Sequence, residues 1–155
     1  MEYIESAKDD AAEGCVFCSL LEEPEGSGER RVLRRSSLAF VILAKYPYNP
    51  GHLLVLPVRH VAELAELTPA ENAEIAALLD RSVRALRDQA EPQGFNIGLN
   101  LGRVAGAGIP SHLHWHVVPR WSGDTNFMPV VGGTRVLPEL LEETYAKLAP
   151  RFSEG

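Results

Sequence analysis

Three histidines, His112, His114 and His116, alternate with apolar residues in the sequence HLHWHV. In a β-strand, residues at i, i+2 and i+4 project to one face. The imidazoles would share that face, and the apolar residues would face a core. Neighbouring imidazoles disfavour protonation of one another, and neutral imidazole nitrogens serve proton transfer, nucleophilic attack or metal ligation. The alternative is a solvent-exposed polar strand face, yet three of the chain's five histidines lie here.

Two cysteines, Cys15 and Cys18, form a Cys-x-x-Cys pair near the start of the chain. In a reducing compartment this spacing indicates a metal site or a redox pair rather than a structural disulfide. No βαβ pattern with a helix beginning at the pair accompanies it. A thioredoxin-like redox role is therefore not expected.

Length and charge limit the classes of function. The chain has 155 residues, a formal net charge of −6 and 45% hydrophobic residues. We expect a flexible tail at residues 1–14 and one domain over residues 15–155. The acidic balance argues against nucleic-acid binding, whereas a local site for a small phosphate ester stays compatible with it. The sequence has neither a membrane-spanning apolar run nor a signal peptide, so we expect a cytoplasmic protein without membrane contact.

The pattern of apolar and turn residues predicts an α+β fold. Thr68, Pro69 and Glu71 form a capping box ahead of apolar residues at helical spacing, which predicts a long helix. A last helix is expected over residues 138–148. Because the long helix lies between the third and fourth strands, we expect an antiparallel sheet of about five strands with two main helices. The strand segments are residues 31–34, 38–43, 52–57, 95–101 and 113–120.

These motifs together resemble the histidine-triad (HIT) superfamily. Residues 112–120 are similar to its signature, and residues 49–57, 95–100 and 121–127 follow the family's order. The likeness covers about residues 15–133, and it is greatest to the bacterial branch of dinucleoside polyphosphate hydrolases and diadenosine tetraphosphate phosphorylases. The resemblance implies a HIT-like fold, a homodimer and an enzyme that acts on purine nucleotides.

The family's chemistry implies two catalytic residues. By resemblance, His114 is the nucleophile that attacks the α-phosphorus of a nucleotide and forms a covalent nucleotidyl-histidine. His116 would contact the bridging oxygen and protonate the leaving group, or would only orient His114. Water or inorganic phosphate would then remove the nucleotide.

The resemblance also implies a structural zinc site. Several family members carry zinc on two cysteines and two histidines, and the matching positions are Cys15, Cys18, His60 and His112. A Cys₂His₂ set closes the coordination shell, which argues against a zinc-activated water. The alternative is a metal-free cysteine pair with His60 on the surface.

Four further residues are expected to contact the substrate. Asn100 matches a family asparagine near the phosphate, and Gly108 lies in a glycine-rich connection that allows the backbone to approach a phosphate. His52, after a Pro-Gly turn, lies near the active site or holds the turn. Trp121 is suited to stacking on a purine, or it serves packing or a dimer surface.

Two other functions stay open at this stage. The chain departs from some family members at ribose-contacting positions, which is compatible with a purine nucleotide-binding or scaffolding protein. A nucleoside phosphoramidate hydrolase is the other alternative. Cleavage of a dinucleoside polyphosphate by the purified protein distinguishes these functions from the proposed one.

Overall fold

The structure is a computed structural model and describes residues 14–22, 31–124 and 141–153. The predicted tail, up to residue 13, lies outside the described residues. Within the described ranges the chain forms three α-helices and five β-strands. Their order is α1 Val16–Glu22, β1 Val32–Arg35, β2 Ala39–Leu43, β3 Leu53–Pro57, α2 Pro69–Ala90, β4 Gly94–Leu99, β5 Trp115–Arg120 and α3 Leu141–Ser153. Single 3₁₀ turns occupy Leu64–Glu66 and Arg103–Ala105.

The five strands form one antiparallel sheet in the order β1-β2-β3-β5-β4. Strands β2 and β3 are buried at every position, as expected for strands covered on both faces. Strand β5 lies between β3 and β4, with His116 opposite Leu54 on one side and Gly98 on the other. The predicted α+β class and antiparallel sheet are thus confirmed.

Alternate residues of the central strands separate two apolar cores. On one face, Val41, Val55 and Val117 pack beneath α2 and α3. On the other face, Phe40 and Leu56 pack against the short helix α1. The period-2 pattern of each strand therefore separates a helix-covered core from the face that carries the histidines.

Helix α2 begins as its sequence predicts. The Thr68 hydroxyl accepts from the Glu71 amide at 3.2 Å, and the Glu71 carboxylate accepts from the Thr68 amide at 2.8 Å. Glu71 is buried, and Arg59 binds both its oxygens at 2.7 Å. This Arg59 hydrogen bonding, followed by the bonds from Thr68, lowers the pKa of Glu71 to about 2.

Strand β5 is shorter than predicted, because it begins at Trp115 rather than at residue 113. Ahead of it, the Leu113 amide donates to the Val61 carbonyl at 2.8 Å, and the His112 carbonyl accepts from the His114 ring at 2.8 Å. These bonds replace the sheet ladder. The apolar side of the alternation is as expected, since Leu113, Trp115 and Val117 all contact the helix-covered core.

The helices differ from expectation at two places. Helix α1 was not predicted, because seven residues are too few for a clear helical period. Helix α3 continues to Ser153, beyond the predicted end, and residues 138–140 lie outside the described residues. None of the described helices is long and apolar enough to cross a membrane.

Candidate functional site

His52 and His116 form a direct hydrogen bond at the centre of the sheet. His52 precedes β3, and His116 lies on the neighbouring strand β5, so strand pairing brings His52 Nε2 within 2.9 Å of His116 Nδ1. The backbone amide of Tyr48 donates to His52 Nδ1 at 3.1 Å. His52 therefore carries its proton on Nε2 and donates it to His116 Nδ1.

The same bond determines the tautomer of His116. Because Nδ1 of this neutral ring accepts, its Nε2 carries the proton. His116 Nε2 is buried, and it has no hydrogen-bond partner among the described residues. A buried N–H donor of this kind is suited to a ligand oxygen, since burying it without an acceptor costs free energy.

His114 has the opposite tautomer. Its Nδ1 lies 2.8 Å from the His112 carbonyl, which can only accept, so Nδ1 carries the proton and Nε2 keeps its lone pair. The rings of His114 and His116 are 5.1 Å apart between centroids. An imidazole lone pair thus lies beside an imidazole N–H donor, as nucleophilic attack with leaving-group protonation requires.

Burial keeps these imidazoles neutral at pH 7. Burial, followed by the charges of His116 and His114, lowers the pKa of His52 to about 3. Burial and the charge of His114 lower the pKa of His116 to about 4. For His114, burial lowers the pKa, and the hydrogen bond to the His112 carbonyl opposes the shift.

His112 faces away from this group, toward the two cysteines. Its Nε2 donates to the Pro57 carbonyl at 2.9 Å, which leaves an Nδ1 lone pair. That nitrogen lies 3.4 Å from Cys15 Sγ and 3.6 Å from Cys18 Sγ. His60 Nδ1 lies 3.4 Å from Cys18 Sγ, and all four ligand atoms lie within 4.8 Å of one another.

This cluster fits a tetrahedral zinc ion. Zn–S bonds of about 2.3 Å and Zn–N bonds of about 2.0 Å place sulfur and nitrogen about 3.5 Å apart in a tetrahedron. The observed separations of 3.4 to 3.6 Å agree with that geometry. Metal-binding histidines commonly donate their other ring N–H to a backbone carbonyl, as His112 does to Pro57. Burial, followed by the charge of Cys15, raises the pKa of the Cys18 thiol to about 11, so metal binding would displace its proton.

Helix α1 connects this cluster to the catalytic candidates. Phe17 lies between the two cysteines, and its ring centroid is 5.2 Å from that of His114. Arg35 donates to the carbonyls of Leu20 and Leu21 at 2.7 and 3.3 Å, which holds the end of the helix. The sequence analysis missed Phe17, although its position inside the Cys-x-x-Cys pair is a signal that could have identified it.

Two of the other predicted residues, Asn100 and Gly108, lie in the connection between β4 and β5. The pairing of β4 with β5 sets Gly98 opposite His116 and Leu99 opposite Trp115, and Asn100 directly follows the end of β4. Gly108 is half-buried in the connection that leads to His112. Around Gly98 there is open space, since an added Cβ would have no atom within 4 Å.

Trp121 is placed elsewhere. It follows β5, and its indole N–H donates to the Ala90 carbonyl at the end of α2, at 3.2 Å. The described structure does not bring it together with the histidines. Before it, Arg120 binds Asp124 at 2.6 Å and Asn96 at 2.7 Å, which attaches this segment to the sheet.

Known proteins resemble this chain in both sequence and structure. The sequence model of the HIT domain family matches residues 26–123. An AP-4-A phosphorylase of Mycobacterium tuberculosis is 47% identical over 133 residues, which cover 85% of this chain and 68% of that protein. A zinc-bound histidine triad family protein of Mycobacterium smegmatis has TM-score 0.71 and 28% identity, over 93% of this chain and 96% of its own. A hypothetical histidine triad nucleotide-binding protein of Sulfolobus tokodaii has TM-score 0.71 and 27% identity, over 90% of this chain and 92% of its own.

This protein belongs to the HIT family. The match spans most of the chain and includes His52, His114 and His116. It also includes His60 and His112, whereas Cys15 and Cys18 precede it. The resemblance inferred from the motifs is therefore confirmed, as is the HIT-like fold.

Proposed function

We propose that this protein cleaves a phosphoanhydride bond of dinucleoside polyphosphates and transfers the nucleotide to inorganic phosphate. The observation that carries the proposal is the pair of complementary imidazoles, a lone pair on His114 Nε2 beside an N–H donor on His116 Nε2. The 47% identical relative named AP-4-A phosphorylase supports the substrate class and the acceptor.

The first step forms a covalent intermediate. His114 Nε2 attacks the α-phosphorus of diadenosine tetraphosphate, the N–P bond forms, and the bond to the bridging oxygen breaks. ATP leaves, and His116 Nε2–H donates to the bridging oxygen as negative charge develops there. The backbone bond of His114 Nδ1 to the His112 carbonyl stabilises the cationic ring that attack creates.

The second step returns the enzyme to its starting state. An oxygen of inorganic phosphate attacks the same phosphorus, the N–P bond breaks, and ADP leaves. With water as the acceptor, the second product would be AMP. The identity of this product therefore distinguishes phosphorolysis from hydrolysis.

We propose that zinc occupies the Cys15, Cys18, His60 and His112 cluster in a structural role. Four protein ligands leave no open position, so the ion supplies cross-linking rather than an activated water. It would join α1 to the segments after β3 and before β5. The zinc-bound M. smegmatis relative supports this proposal.

We also propose a homodimer that associates through β4. This strand is an edge of the sheet, and its sequence GFNIGL contains no charged residue that would oppose pairing with another chain. Ile97, Leu101 and Val104 expose large apolar side chains on or beside it. The other edge, β1, carries Arg34 and Arg35.

Activity assays test the function. Incubation of the purified protein with diadenosine tetraphosphate and phosphate should give ATP and ADP. The His114→Ala variant should lose at least about a thousandfold in kcat/KM while its unfolding midpoint stays close to that of the wild type. The Arg84→Ala variant, at an exposed position on α2, is the control and should keep full activity.

Four results would contradict the proposal or its parts. Near-normal turnover by His114→Ala would exclude the nucleophile. AMP as the product at saturating phosphate would exclude phosphorolysis. Turnover of an adenosine phosphoramidate without cleavage of any dinucleotide would favour the alternative function of a nucleoside phosphoramidate hydrolase. Nucleotide binding without any turnover would favour a nucleotide-binding or scaffolding protein.

A further inference from the structure

An exposed tyrosine ring lies directly beyond the histidine pair. Tyr48 is 64% exposed, and its ring stacks on His52 at 5.0 Å and 18° between planes. The ring is also 5.9 Å from that of His116. Because His52 covers one face of the Tyr48 ring, an exposed fraction of this size leaves the other face open to solvent.

Hydrogen bonds hold the loop that carries Tyr48 in place. The Tyr48 amide donates to His52 Nδ1 at 3.1 Å, and the His52 amide donates to the Asn49 carbonyl at 3.1 Å. The Asn49 side chain in turn donates to the Pro119 carbonyl at 2.8 Å. The ring is therefore held in place before any ligand arrives, which reduces the entropy cost of binding to it.

The order of the groups along the site assigns a partner to this ring. His114 takes the transferred nucleotide, and His116 faces the leaving side of the scissile bond. The leaving part of a dinucleoside polyphosphate therefore extends past His116, and the exposed ring of Tyr48 lies 5.9 Å from the His116 ring. Its terminal nucleobase has a π face that stacks on aromatic rings.

We propose that Tyr48 is the stacking platform for the nucleobase of the leaving nucleotide. This inference rests on the proposed function and names a second nucleoside subsite for the same reaction. The subsite makes the enzyme favour dinucleoside polyphosphates over mononucleotides that carry an equal number of phosphates.

Paired substrates test this subsite. Tyr48→Ala should lower kcat/KM for diadenosine tetraphosphate about tenfold, equivalent to about 1.4 kcal/mol, mainly through KM. For adenosine 5′-tetraphosphate, which lacks the second nucleoside, kcat/KM should not change. Tyr48→Phe should retain the preference, and Tyr48→Leu should lose it while still covering His52.

Tyr46 offers a matched control on the same loop. It is 61% exposed, and the ring contact described for it is with the Lys45 ammonium. Tyr46→Ala should leave both kcat/KM values unchanged. An equal loss on both substrates in Tyr48→Ala would mean that Tyr48 only supports His52, and no loss would mean that the ring serves packing or another surface. Either result overturns the proposal.

A direct binding measurement separates this inference from the proposed function. Calorimetry would use diadenosine tetraphosphate with methylene groups in place of the bridging oxygens, which the enzyme cannot cleave. Tyr48→Ala should weaken its Kd about tenfold, whereas the Kd for adenosine 5′-tetraphosphate with the same methylene replacements should stay the same. If the wild type cleaves neither substrate but shows this difference, only the proposed reaction fails. If Tyr48→Ala leaves the analogue's Kd unchanged, the Tyr48 inference fails whatever the turnover.

Discussion

Four imidazoles lie close together, and the hydrogen bonds of each ring determine which of its nitrogens carries the proton. His114 has a lone pair on Nε2 and His116 a proton there, because one bonds to a backbone carbonyl and the other to His52. His112 keeps a lone pair on Nδ1 that faces the cysteines. One short histidine-rich segment therefore carries the two histidines proposed for nucleotide transfer and one ligand of the proposed zinc site.

The residue identities were largely predictable, and the ring orientations were not. Alternation along the chain is a local rule, so it predicted that His114 and His116 lie near each other. The bond between His52 and His116 joins residues 64 positions apart and depends on the pairing of β3 with β5. No local pattern reports such a contact, which is why the role of His52 stayed open in the sequence.

Replacing His52 with glutamine should change how stability depends on pH. The pKa of His52 is about 3 in the folded protein and about 6.5 in an unfolded chain. The contribution of His52 to the free energy of unfolding is complete above about pH 6.5. It is lost as the pH falls toward the folded-state pKa of about 3, because in this range His52 takes up a proton only in the unfolded chain. Between about pH 6 and 4, the free energy of unfolding of His52→Gln should fall less steeply than that of the wild type, by about 1.4 kcal/mol per pH unit.

Urea unfolding at a series of pH values, with zinc held constant, measures this difference. The titrating groups that do not interact with His52 are shared by the two proteins, so they cancel in the comparison. Equal slopes for His52→Gln and the wild type would show that His52 binds its proton in the folded state as readily as in the unfolded chain.

At the scale of elements, the sequence predicted what depends on periodicity. Strands β2 and β3 and helix α2 have clear apolar patterns, and their positions agree with the prediction to within a few residues. Helix α1 has only seven residues, and its position depends on the contacts of Phe17 and Leu20 and on Arg35 from β1. Those contacts are tertiary, so the sequence pattern did not indicate them.

Removal of zinc should loosen α1 selectively. The proposed zinc ion joins α1 to the rest of the site through its coordinate bonds. An ion that binds only the folded state stabilises that state. After chelation, hydrogen exchange should accelerate for the amides of residues 16–22. Exchange in α2, which packs on the opposite face of the sheet, should change much less.

The Cys18→Ser variant should show the same exchange pattern without a chelator. Ser19→Ala is the control, because among the described residues its exposed hydroxyl bonds the Val16 carbonyl alone. A preparation that contains no zinc, or a hydrogen-exchange rate in α1 that chelation does not change, would contradict the proposal that zinc stabilises this helix.

At the scale of the whole molecule, the proposed dimer depends on one edge of the sheet. Ile97→Lys places a charge in the centre of β4, where it would oppose pairing with a second copy. Sedimentation at micromolar concentration should show a dimer for the wild type and a monomer for this variant. Leu64→Lys adds the same charge at an exposed apolar position in the 3₁₀ turn before α2 and should remain dimeric.

A monomeric wild type, or a dimer that Ile97→Lys leaves intact, would exclude this interface. The sequence alone did not identify it. It indicated a homodimer by resemblance, whereas the choice of β4 over β1 needed the strand order and the exposure of Ile97.

The central claim is that His114 bonds to phosphorus during turnover. Its most direct test is mass spectrometry of reactions with diadenosine tetraphosphate, quenched within milliseconds into alkaline denaturant because N–P bonds hydrolyse in acid. We predict an adenylyl group on the peptide that contains His114, which forms before ADP, disappears when phosphate is added and is absent from His114→Ala. Product formation with no adduct at any time, or an adduct on a different residue, would contradict the account.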